Sequence, residues 1–448
     1  MKLYDRNKEL AVFEREIRGV EQEQKSRFIV VSGRRRVGKT RLVLEAFAKD
    51  QAPSIYLFCY PYAVEREIAR QWMNEVCQKL ELPERYKAET VGDVIEVIFE
   101  EAKRRRINLF IDEIQNMLTV APSFFGKLRG QWDKLTLTGP SHLLMTQSGS
   151  VANVVKQLFS VYSQPLYGRM TARVELKPFS PAVLKEIFAD YANKTDAEAL
   201  LGLFALTGGV AKYVETLITN GYLTLDAILE EVTNPNSYFW SEGQILLANE
   251  FKTDYGNYFC LLQKIAHGVT KGSELQDGLS VNISGHLRKL ETDYGLIAKS
   301  QPLFAKGTRG VRYKMTDRFL IFWFRFIQSN QQLIGSNNTT ELRARIRSQW
   351  ENFSGRALEQ YFLEQFLDSG KYTHIGQWWD RKGENEIDLI AVNANAKTME
   401  IFEIKRNPKK IDLERLAAKA EVFVRNTPEV KGFKYTLKGL ILEDLKKA

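Results

Sequence analysis

The fold of this chain is decided by the stretch FIVVSGRRRVGKTRLVLEAF, residues 28–47. Its first four residues are aromatic or aliphatic, which predicts a short buried strand. A glycine, four further residues and then Gly-Lys-Thr follow, and the apolar spacing after them predicts a helix. A glycine loop between a strand and a helix start presents backbone N–H groups to an anion. The stretch therefore predicts a phosphate-binding loop that binds ATP or GTP.

The expected nucleotide-binding residues are those of this loop and of the first helical turn. Gly33 and Gly38 let the backbone turn without a side chain in the way. Lys39 is expected to neutralise the β- and γ-phosphates, and it is counted among the catalytic residues; the Thr40 hydroxyl is expected to complete the coordination of Mg²⁺. The full predicted set is Gly33, Arg34, Arg35, Arg36, Val37, Gly38, Lys39, Thr40 and Arg41.

A second motif of the nucleotide site lies at the end of the apolar segment INLFIDE, residues 107–113. Asp112 is expected to hold Mg²⁺ through water. Glu113 is expected to orient or deprotonate the attacking water. An acidic pair at a strand end is common, but this one follows Lys39 on the apolar strand that the motif requires.

Further segments complete a sheet around these motifs. The segment HLLMTQSGS, residues 142–150, is expected to lie between the other two strands, so that its polar end faces the γ-phosphate. Gln147 or Ser148 would then sense that phosphate, or the Ser-Gly-Ser sequence is only a turn. Arg169 would reach a phosphate charge or be an ordinary surface arginine. Strands and helices alternate up to residues 174–179, which predicts an α/β fold with a doubly wound parallel sheet over residues 1–179.

The chain changes character after this sheet. Residues 180–245 are expected to form a helical lid over the nucleotide. Residues 246–326 predict helices followed by a basic hairpin, which describes a winged helix. Its helix at residues 283–294 would enter a major groove of DNA, or the winged helix serves only as packing or as a lid. The hairpin residues expected to contact DNA phosphates are Lys306, Arg309 and Arg312.

A second chemical site is predicted in residues 327–448, which are expected to form a C-terminal α/β domain. A polar linker at residues 328–340 and a helix at residues 349–366 are expected at its start. Asp388 lies in one strand-like segment, and Glu403 and Lys405 share one face of another, because side chains alternate along a strand. Asp388 and Glu403 would bind Mg²⁺, and Lys405 would steady the attacking water or the charge of the transition state. Glu359 would add a metal ligand or orient one. Such a set suits metal-dependent phosphodiester cleavage; the alternative is a solvent-facing salt bridge across a hairpin.

Composition limits the class of protein only broadly. A chain of 448 residues with 44% hydrophobic residues has room for about three domains with cores of their own. The net charge of +9 weakly favours a polyanion partner, since the basic residues are spread along the chain. Three cysteines without metal-ligand spacing favour a reducing compartment, and the N-terminus is not a signal peptide. We therefore expect a soluble cytoplasmic protein with no membrane partner.

The chain resembles the archaeal-type ATPases of the AAA+/STAND grouping that carry a C-terminal PD-(D/E)XK nuclease-like domain. The resemblance covers nearly the whole chain. It rests on Asp5-Arg6, Glu9-Leu10, Gly33–Thr40, Leu109–Gln115, Leu166–Arg169, the stretch from Tyr313 to Phe326, Asp388, and Glu403-Ile404-Lys405. The phosphate-loop motif is generic, whereas the aromatic stretch that follows the wing is more particular to this family.

The resemblance implies an ATPase with a helical lid, a winged helix and a nuclease-like terminal domain. It places Arg6 near the adenine and Arg169 near the phosphates of ATP. The chain departs from the family at the lid, where Gly208-Gly209-Val210 replaces the usual Gly-x-Pro-like turn. This departure concerns the contact of the lid with the nucleotide and leaves the phosphate site untouched.

Three functions follow from these motifs. The first is an ATP-driven switch with a DNA-directed, nuclease-like effector domain. The second is a signalling or regulatory ATPase whose winged helix and terminal domain only bind nucleic acid or protein. The third is a DNA binder that uses the winged helix, with ATP as its ligand and no cleavage. Metal-dependent nicking of DNA separates the first from the others. The oligomeric state is left open by the sequence, and further copies of the chain are among the expected partners.

Overall fold

Two units make up the chain, Lys2–Lys177 and, together with Met1, Pro178–Ala448. The structure is a computed structural model. It describes every residue except 62, 84, 85, 151–157, 160, 163, 252, 253, 308, 309 and 448, and it leaves the side chain of residue 249 undescribed.

The first unit is built on a sheet of five strands. These are β1 (Arg27–Ser32), β2 (Ser54–Phe58), β3 (Ile107–Asp112), β4 (Leu143–Gly149) and β5 (Ala172–Glu175). They lie in the order β2-β3-β4-β1-β5, and every neighbouring pair is parallel. The predicted parallel sheet is confirmed, and β4 lies between β1 and β3, as the sequence had indicated.

Helices cover both faces of this sheet. They are α1 (Asn7–Glu23), α2 (Lys39–Ala48), α3 (Glu65–Leu80), α4 (Val91–Glu101), α5 (Met117–Val120) and α6 (Phe124–Leu137). Alternate residues of β1 enter two separate cores: Phe28 and Val30 pack with α3, α4 and α6, whereas Ile29 and Val31 pack with α1 and α2. A strand that is apolar at every position is therefore buried on both sides, as in a doubly wound sheet.

The second unit begins with helices and continues into a hairpin. Its first helices are α7 (Pro181–Tyr191), α8 (Ala197–Thr207), α9 (Ala211–Thr219), α10 (Leu225–Thr233), α11 (Tyr238–Glu250), α12 (Tyr255–Ala266), α13 (Gly272–Gln276) and α14 (Ser284–Thr292). The strands β6 (Ile297–Ser300) and β7 (Arg312–Met315) then pair antiparallel. Helices followed by a two-stranded hairpin form the arrangement predicted for a winged helix, and we call the hairpin, residues 297–315, the wing.

The C-terminal part of this unit carries a mixed sheet. Its elements are α15 (Arg318–Phe322), α16 (Gln331–Gly335), α17 (Thr339–Asp368), β8 (His374–Trp379), β9 (Glu386–Asn393), β10 (Thr398–Lys405), α18 (Leu413–Asn426) and β11 (Lys434–Ile441). The strand order is β11-β10-β9-β8. β9 is antiparallel to both of its neighbours, and β11 is parallel to β10.

The expected polar linker at residues 328–340 is largely helical, which corrects the sequence interpretation. α16 lies within it, and α17 begins at Thr339, ten residues before the predicted helix. The Asn338 side chain accepts a hydrogen bond from the backbone N–H of Glu341, so it caps this early helix start. Leu342 and Ile346 are fully buried and hold the first turns of α17 against the rest of the unit.

α17 connects the helical region of the second unit to its C-terminal sheet. The indole Nε1 of Trp350 donates to Glu198 Oε1 at 2.6 Å, and the hydroxyl of Tyr361 donates to the carbonyl of Pro181 at 3.2 Å. Further along the helix, the ring of Phe366 packs on Phe402 of β10, with centroids 4.9 Å apart.

Within the described residues, no helix has both the length and the apolar character that crossing a membrane would need.

Candidate functional sites

The phosphate loop connects β1 to α2 and is shaped by its glycines. Gly38 has a φ of 97°, in the region that favours glycine, and a Cβ on Gly33 would lie 2.5 Å from the carbonyl oxygen of Leu176. Lys39 begins α2 and is only 5% exposed. Its Nζ donates to the carbonyl oxygens of Gly33, at 2.9 Å, and of Arg34, at 3.1 Å. The ammonium therefore lies inside the loop, as a phosphate-binding lysine requires.

Asp112, at the end of β3, accepts hydrogen bonds from three hydroxyl groups. Thr40 Oγ1 donates to its Oδ2 at 2.7 Å, Tyr56 donates to the same oxygen at 3.2 Å, and Ser148 of β4 donates to Oδ1. Burial of the Tyr56 phenol, with the nearby Asp112 charge, raises the pKa of Tyr56, so this group remains a donor. The two predicted Mg²⁺-binding residues of this site, Thr40 and Asp112, are thus brought together.

Glu113 follows β3 with a positive φ of 55°. Its Oε2 accepts hydrogen bonds from the Ser150 hydroxyl, at 2.7 Å, and from the Gln115 amide. Ser148 belongs to β4, so the Ser-Gly-Ser sequence is not only a turn. Gln147 is fully buried, and in the described part of the chain its Oε1 has no hydrogen-bond partner. The role of either residue as a phosphate sensor stays a prediction.

The two arginines named by the family resemblance are engaged elsewhere in the first unit. Arg169 donates from Nε and Nη2 to the Asp133 carboxylate of α6, at 3.1 and 3.0 Å. Arg6 is buried, and its Nη2 donates to the carbonyl of Lys177 at 3.0 Å. Burial lowers the pKa of Arg6. Their contacts with the nucleotide stay predictions.

Asp388, Glu403 and Lys405 meet at one end of the C-terminal sheet. The pairing of β9 with β10 reaches Leu389 and Phe402, and Asp388 and Glu403 are the next residues of the two strands. Lys405 Nζ donates to Asp388 Oδ2 at 2.9 Å and lies 3.8 Å from Glu403 Oε1. One cation therefore faces both carboxylates.

Backbone groups and burial hold these carboxylates in place. The backbone N–H of Ile404 donates to Asp388 Oδ2 at 2.8 Å, and that of Asp412, next to α18, donates to Glu403 Oε2 at 2.6 Å. The Glu403 side chain is 7% exposed, against 18% for Asp388 and 32% for Lys405. Burial alone would lower the pKa of Lys405, but its hydrogen bond and proximity to Asp388 outweigh burial and raise it. A solvent-facing salt bridge would not be buried in this way.

Glu359 stays a predicted member of this group. It belongs to α17, whose Phe366 packs on Phe402 of β10. Its Oε2 accepts a hydrogen bond from Gln377 Nε2 at 3.4 Å. Burial, together with the Asp388 charge, raises the pKa of Glu359 to about 7. Among the described residues, no three His, Cys, Asp or Glu side chains are arranged to hold a metal ion, and the role of Glu359 as a metal ligand stays a prediction.

The basic residues of the wing contact the C-terminal domain. Arg312 pairs with Glu386 of β9 at 2.5 Å, and Lys306 lies 3.3 Å from Glu429. Arg309, the third expected DNA contact, lies outside the described residues. This arrangement agrees with the packing alternative for the wing.

Sequence reasoning missed several groups that orient the two sites. These are Tyr56, Gln115 and Ser150 in the first unit, and Lys314 and Gln377 in the second. Tyr56 gave a weak signal, as a hydroxyl-bearing ring inside an apolar strand. Gln377 and Lys314 gave none, because they are 63 residues apart and meet only through the tertiary fold.

Comparison with known proteins agrees with the geometry of the phosphate loop. Residues 3–217 match a family described as an ATPase domain predominantly from Archaea. The chain carries an archaeal-type ATPase domain. The chain is a P-loop ATPase, as the sequence predicted. Residues 323–416 match DUF234, a family described as archaeal and bacterial proteins of unknown function.

Individual proteins are similar to the chain over most of its length. The uncharacterized protein MJECL04 of Methanocaldococcus jannaschii is 28% identical over 389 residues, which cover 84% of this chain and 82% of that protein. Among solved structures, the Walker-type ATPase paby2304 of Pyrococcus abyssi has a TM-score of 0.52 at 19% identity, covering 72% of this chain and 96% of that one. The ORC2 protein of Aeropyrum pernix has a TM-score of 0.48 at 12% identity, covering 75% and 95%. At 19% identity the likeness to the Pyrococcus abyssi structure concerns the fold.

Proposed function

We propose that the chain is an ATP-binding and ATP-hydrolysing switch of the AAA+/STAND kind, coupled to a DNA-directed, metal-dependent nuclease-like domain. The ATPase part is supported by its domain family and by the phosphate loop. One observation carries the nuclease-like part: the Lys405 ammonium faces both Asp388 and Glu403 at one end of the C-terminal sheet.

The residues of the phosphate loop fit ATP with Mg²⁺. Thr40 Oγ1 and Asp112 Oδ2 lie 2.7 Å apart, and both are hard oxygen donors of the kind that this ion prefers. Thr40 would hold the ion directly and Asp112 through water. Lys39 would turn from the loop carbonyls to the β- and γ-phosphates, while Glu113 would orient the attacking water or accept its proton.

The C-terminal carboxylates also fit a divalent metal, because they already converge on one cation. Two carboxylates suffice for Mg²⁺, which usually keeps several waters and takes further oxygens from a substrate phosphate. Asp388 and Glu403 would hold the ion, and Glu359 would add a ligand or orient one. When bound, the ion would act as a Lewis acid on a phosphodiester and favour ionisation of a bound water. Lys405 would then be released from Asp388 to face the charge that develops on the phosphate.

Nicking of a supercoiled plasmid by the full chain tests this proposal. We expect cleavage with Mg²⁺ or Mn²⁺, its loss in Asp388→Asn, and its retention in Glu400→Gln. Glu400 is the control, since it lies on β10, the strand that carries Glu403, but pairs with Lys438 and Tyr372. ATP hydrolysis should be unchanged in both variants. Cleavage that survives Asp388→Asn would contradict the proposal.

A second candidate function is a signalling or regulatory ATPase without cleavage. It is favoured because no three acidic, histidine or cysteine side chains of the described residues are arranged to hold a metal ion, and because Asp388 is ion-paired with Lys405. The terminal domain and the winged helix would then only bind nucleic acid or protein. No cleavage by the unmodified chain with Mg²⁺ or Mn²⁺, with ATP hydrolysis intact, would support this candidate.

A further inference from the structure

The wing is attached to the C-terminal sheet along β8. The backbone N–H of Leu303 donates to the carbonyl of Gln377 at 2.9 Å. Two residues further along β8, the indole Nε1 of Trp379 donates to the carbonyl of Gly310 at 3.1 Å. The guanidinium of Arg312 lies 4.3 Å from the centre of the Trp379 ring. The position of Gln377 in the sheet is therefore tied to the wing by a contact at its own backbone and by the contacts of Trp379.

A lysine of the wing also contacts the side chain of Gln377. Lys314 Nζ, on β7, donates to Gln377 Oε1, and Gln377 Nε2 donates to Glu359 Oε2 at 3.4 Å. An ammonium can only donate, so Lys314 requires the amide oxygen to face it. The amide N–H groups must then face the other way, toward the Glu359 carboxylate. Without Lys314 the amide is free to reverse, and its oxygen would face a carboxylate oxygen.

We propose that Lys314 is a positioning residue of the C-terminal site, which acts through Gln377 to orient the Glu359 carboxylate. The inference rests on the proposed function, in which Glu359 adds or orients a metal ligand. The wing is then a working part of that site as well as a packing element. Charged groups that face Glu359 come from every neighbouring element: Lys314 of β7, Asp388 of β9, Lys405 of β10, Arg318 of α15, and Arg356 of α17 itself.

The orientation of the Gln377 amide gives a first test that needs no metal. The full chain, labelled with ¹⁵N at glutamine side chains, would be studied by NMR, and the Gln377 signal identified by its loss in Gln377→Met. We expect this signal to move in Lys314→Met and to return toward its original position in Lys314→Arg, which keeps the donor. Lys299→Met is the matched control, because Lys299 lies on the other strand of the wing and pairs with Glu291 at 2.7 Å. An unchanged Gln377 signal in Lys314→Met would overturn the inference.

Binding of Mn²⁺ gives the second test. Mn²⁺ binding to the C-terminal site is defined as the part of the total Mn²⁺ binding that Asp388→Asn removes. Loss of a residue that orients a ligand typically weakens metal affinity about 10-fold or more. We therefore expect Lys314→Met and Gln377→Met each to weaken Mn²⁺ binding at this site about 10-fold or more. The double variant should lose no more than either single one, since both act through one path. Lys314→Arg should restore most of the affinity.

The two tests separate failure of the inference from failure of the proposed function. If the unmodified chain and Asp388→Asn bind Mn²⁺ alike, the proposed function fails, and the Gln377 signal alone decides whether Lys314 sets the amide. If the site binds Mn²⁺ and Lys314→Met binds it equally tightly, Lys314 does not position the site, and the inference is wrong.

Discussion

Lys39 is the residue whose charge the phosphate loop directs at a nucleotide. Lys39→Ala removes that ammonium from its position beside the Gly33 and Arg34 carbonyls. Charge-assisted hydrogen bonds are worth about 1.5–3 kcal/mol, so we expect ATP affinity to fall by at least about 10-fold in calorimetric titration. Lys49→Ala, at the exposed far end of α2, is the control and should bind as the unmodified chain does. Equal ATP affinities of the two variants would contradict the assignment of residues 33–40 as the phosphate-binding loop.

Glu113 separates hydrolysis from binding. Glu113→Gln keeps the shape of the side chain but cannot accept the proton of the attacking water, and a general base typically contributes about 10²–10⁴-fold to a rate. We expect ATP to bind normally and phosphate release to slow by about 100-fold or more. Glu100→Gln, an exposed α4 residue that pairs with Lys103, should leave the rate unchanged. If Glu113→Gln turns over at the original rate, Glu113 is not the base.

At the scale of elements, Trp379 is one of the residues that attach the wing to β8. Trp379→Leu removes the hydrogen bond to the Gly310 carbonyl and the stacking with Arg312. Each contact is worth about 0.5–1.5 kcal/mol, so the wing should open more often. We expect faster hydrogen exchange in β6 and β7 and unchanged exchange in β11. Tyr372→Phe, which loses a hydrogen bond to Glu400 at the opposite end of the sheet, should leave the wing protected. Equal exchange of the wing in both variants would contradict this attachment.

α17 stabilises the second unit because it packs on both its helical region and its sheet. Leu358 is completely buried, and replacing a buried leucine with alanine typically costs about 2–5 kcal/mol. We expect Leu358→Ala to lower the free energy of unfolding by this amount in urea titration. Leu367→Ala lies on the same helix at a residue that is 53% exposed, and it should change stability by less than about 0.5 kcal/mol. Similar losses for the two variants would mean that α17 is not packed as described.

At the scale of the whole molecule, the sequence predicted what local patterns determine. Continuous apolar strands such as β1 and β3 indicated a sheet buried on both faces, and the glycine spacing of the phosphate loop located its binding site. Alternation along β10 placed Glu403 and Lys405 on one face, and the structure brings both beside Asp388. Each of these inferences needed only the geometry of one strand or one turn.

The remaining features depend on how distant elements pack, and the sequence could not supply them. The contact of Glu359 with Gln377 depends on the packing of α17, which aromatic contacts such as Phe366 with Phe402 hold against the sheet. Residues 328–340 read as a polar linker because their helices are short and their apolar residues few. The contact between Lys314 and Gln377 joins two domains that the sequence treats separately.

In the proposed function, the ATPase controls a metal-dependent site formed by Asp388, Glu403 and Lys405. Plasmid nicking with Mg²⁺ or Mn²⁺, measured with and without ATP, tests it most directly. We expect nicking by the unmodified chain to change with ATP, and Lys39→Ala to nick without responding to ATP. Lys405→Ala should abolish nicking while ATP hydrolysis continues, because the two sites lie in different domains. The absence of nicking by the unmodified chain, or nicking that ignores ATP or survives Lys405→Ala, would contradict the claim.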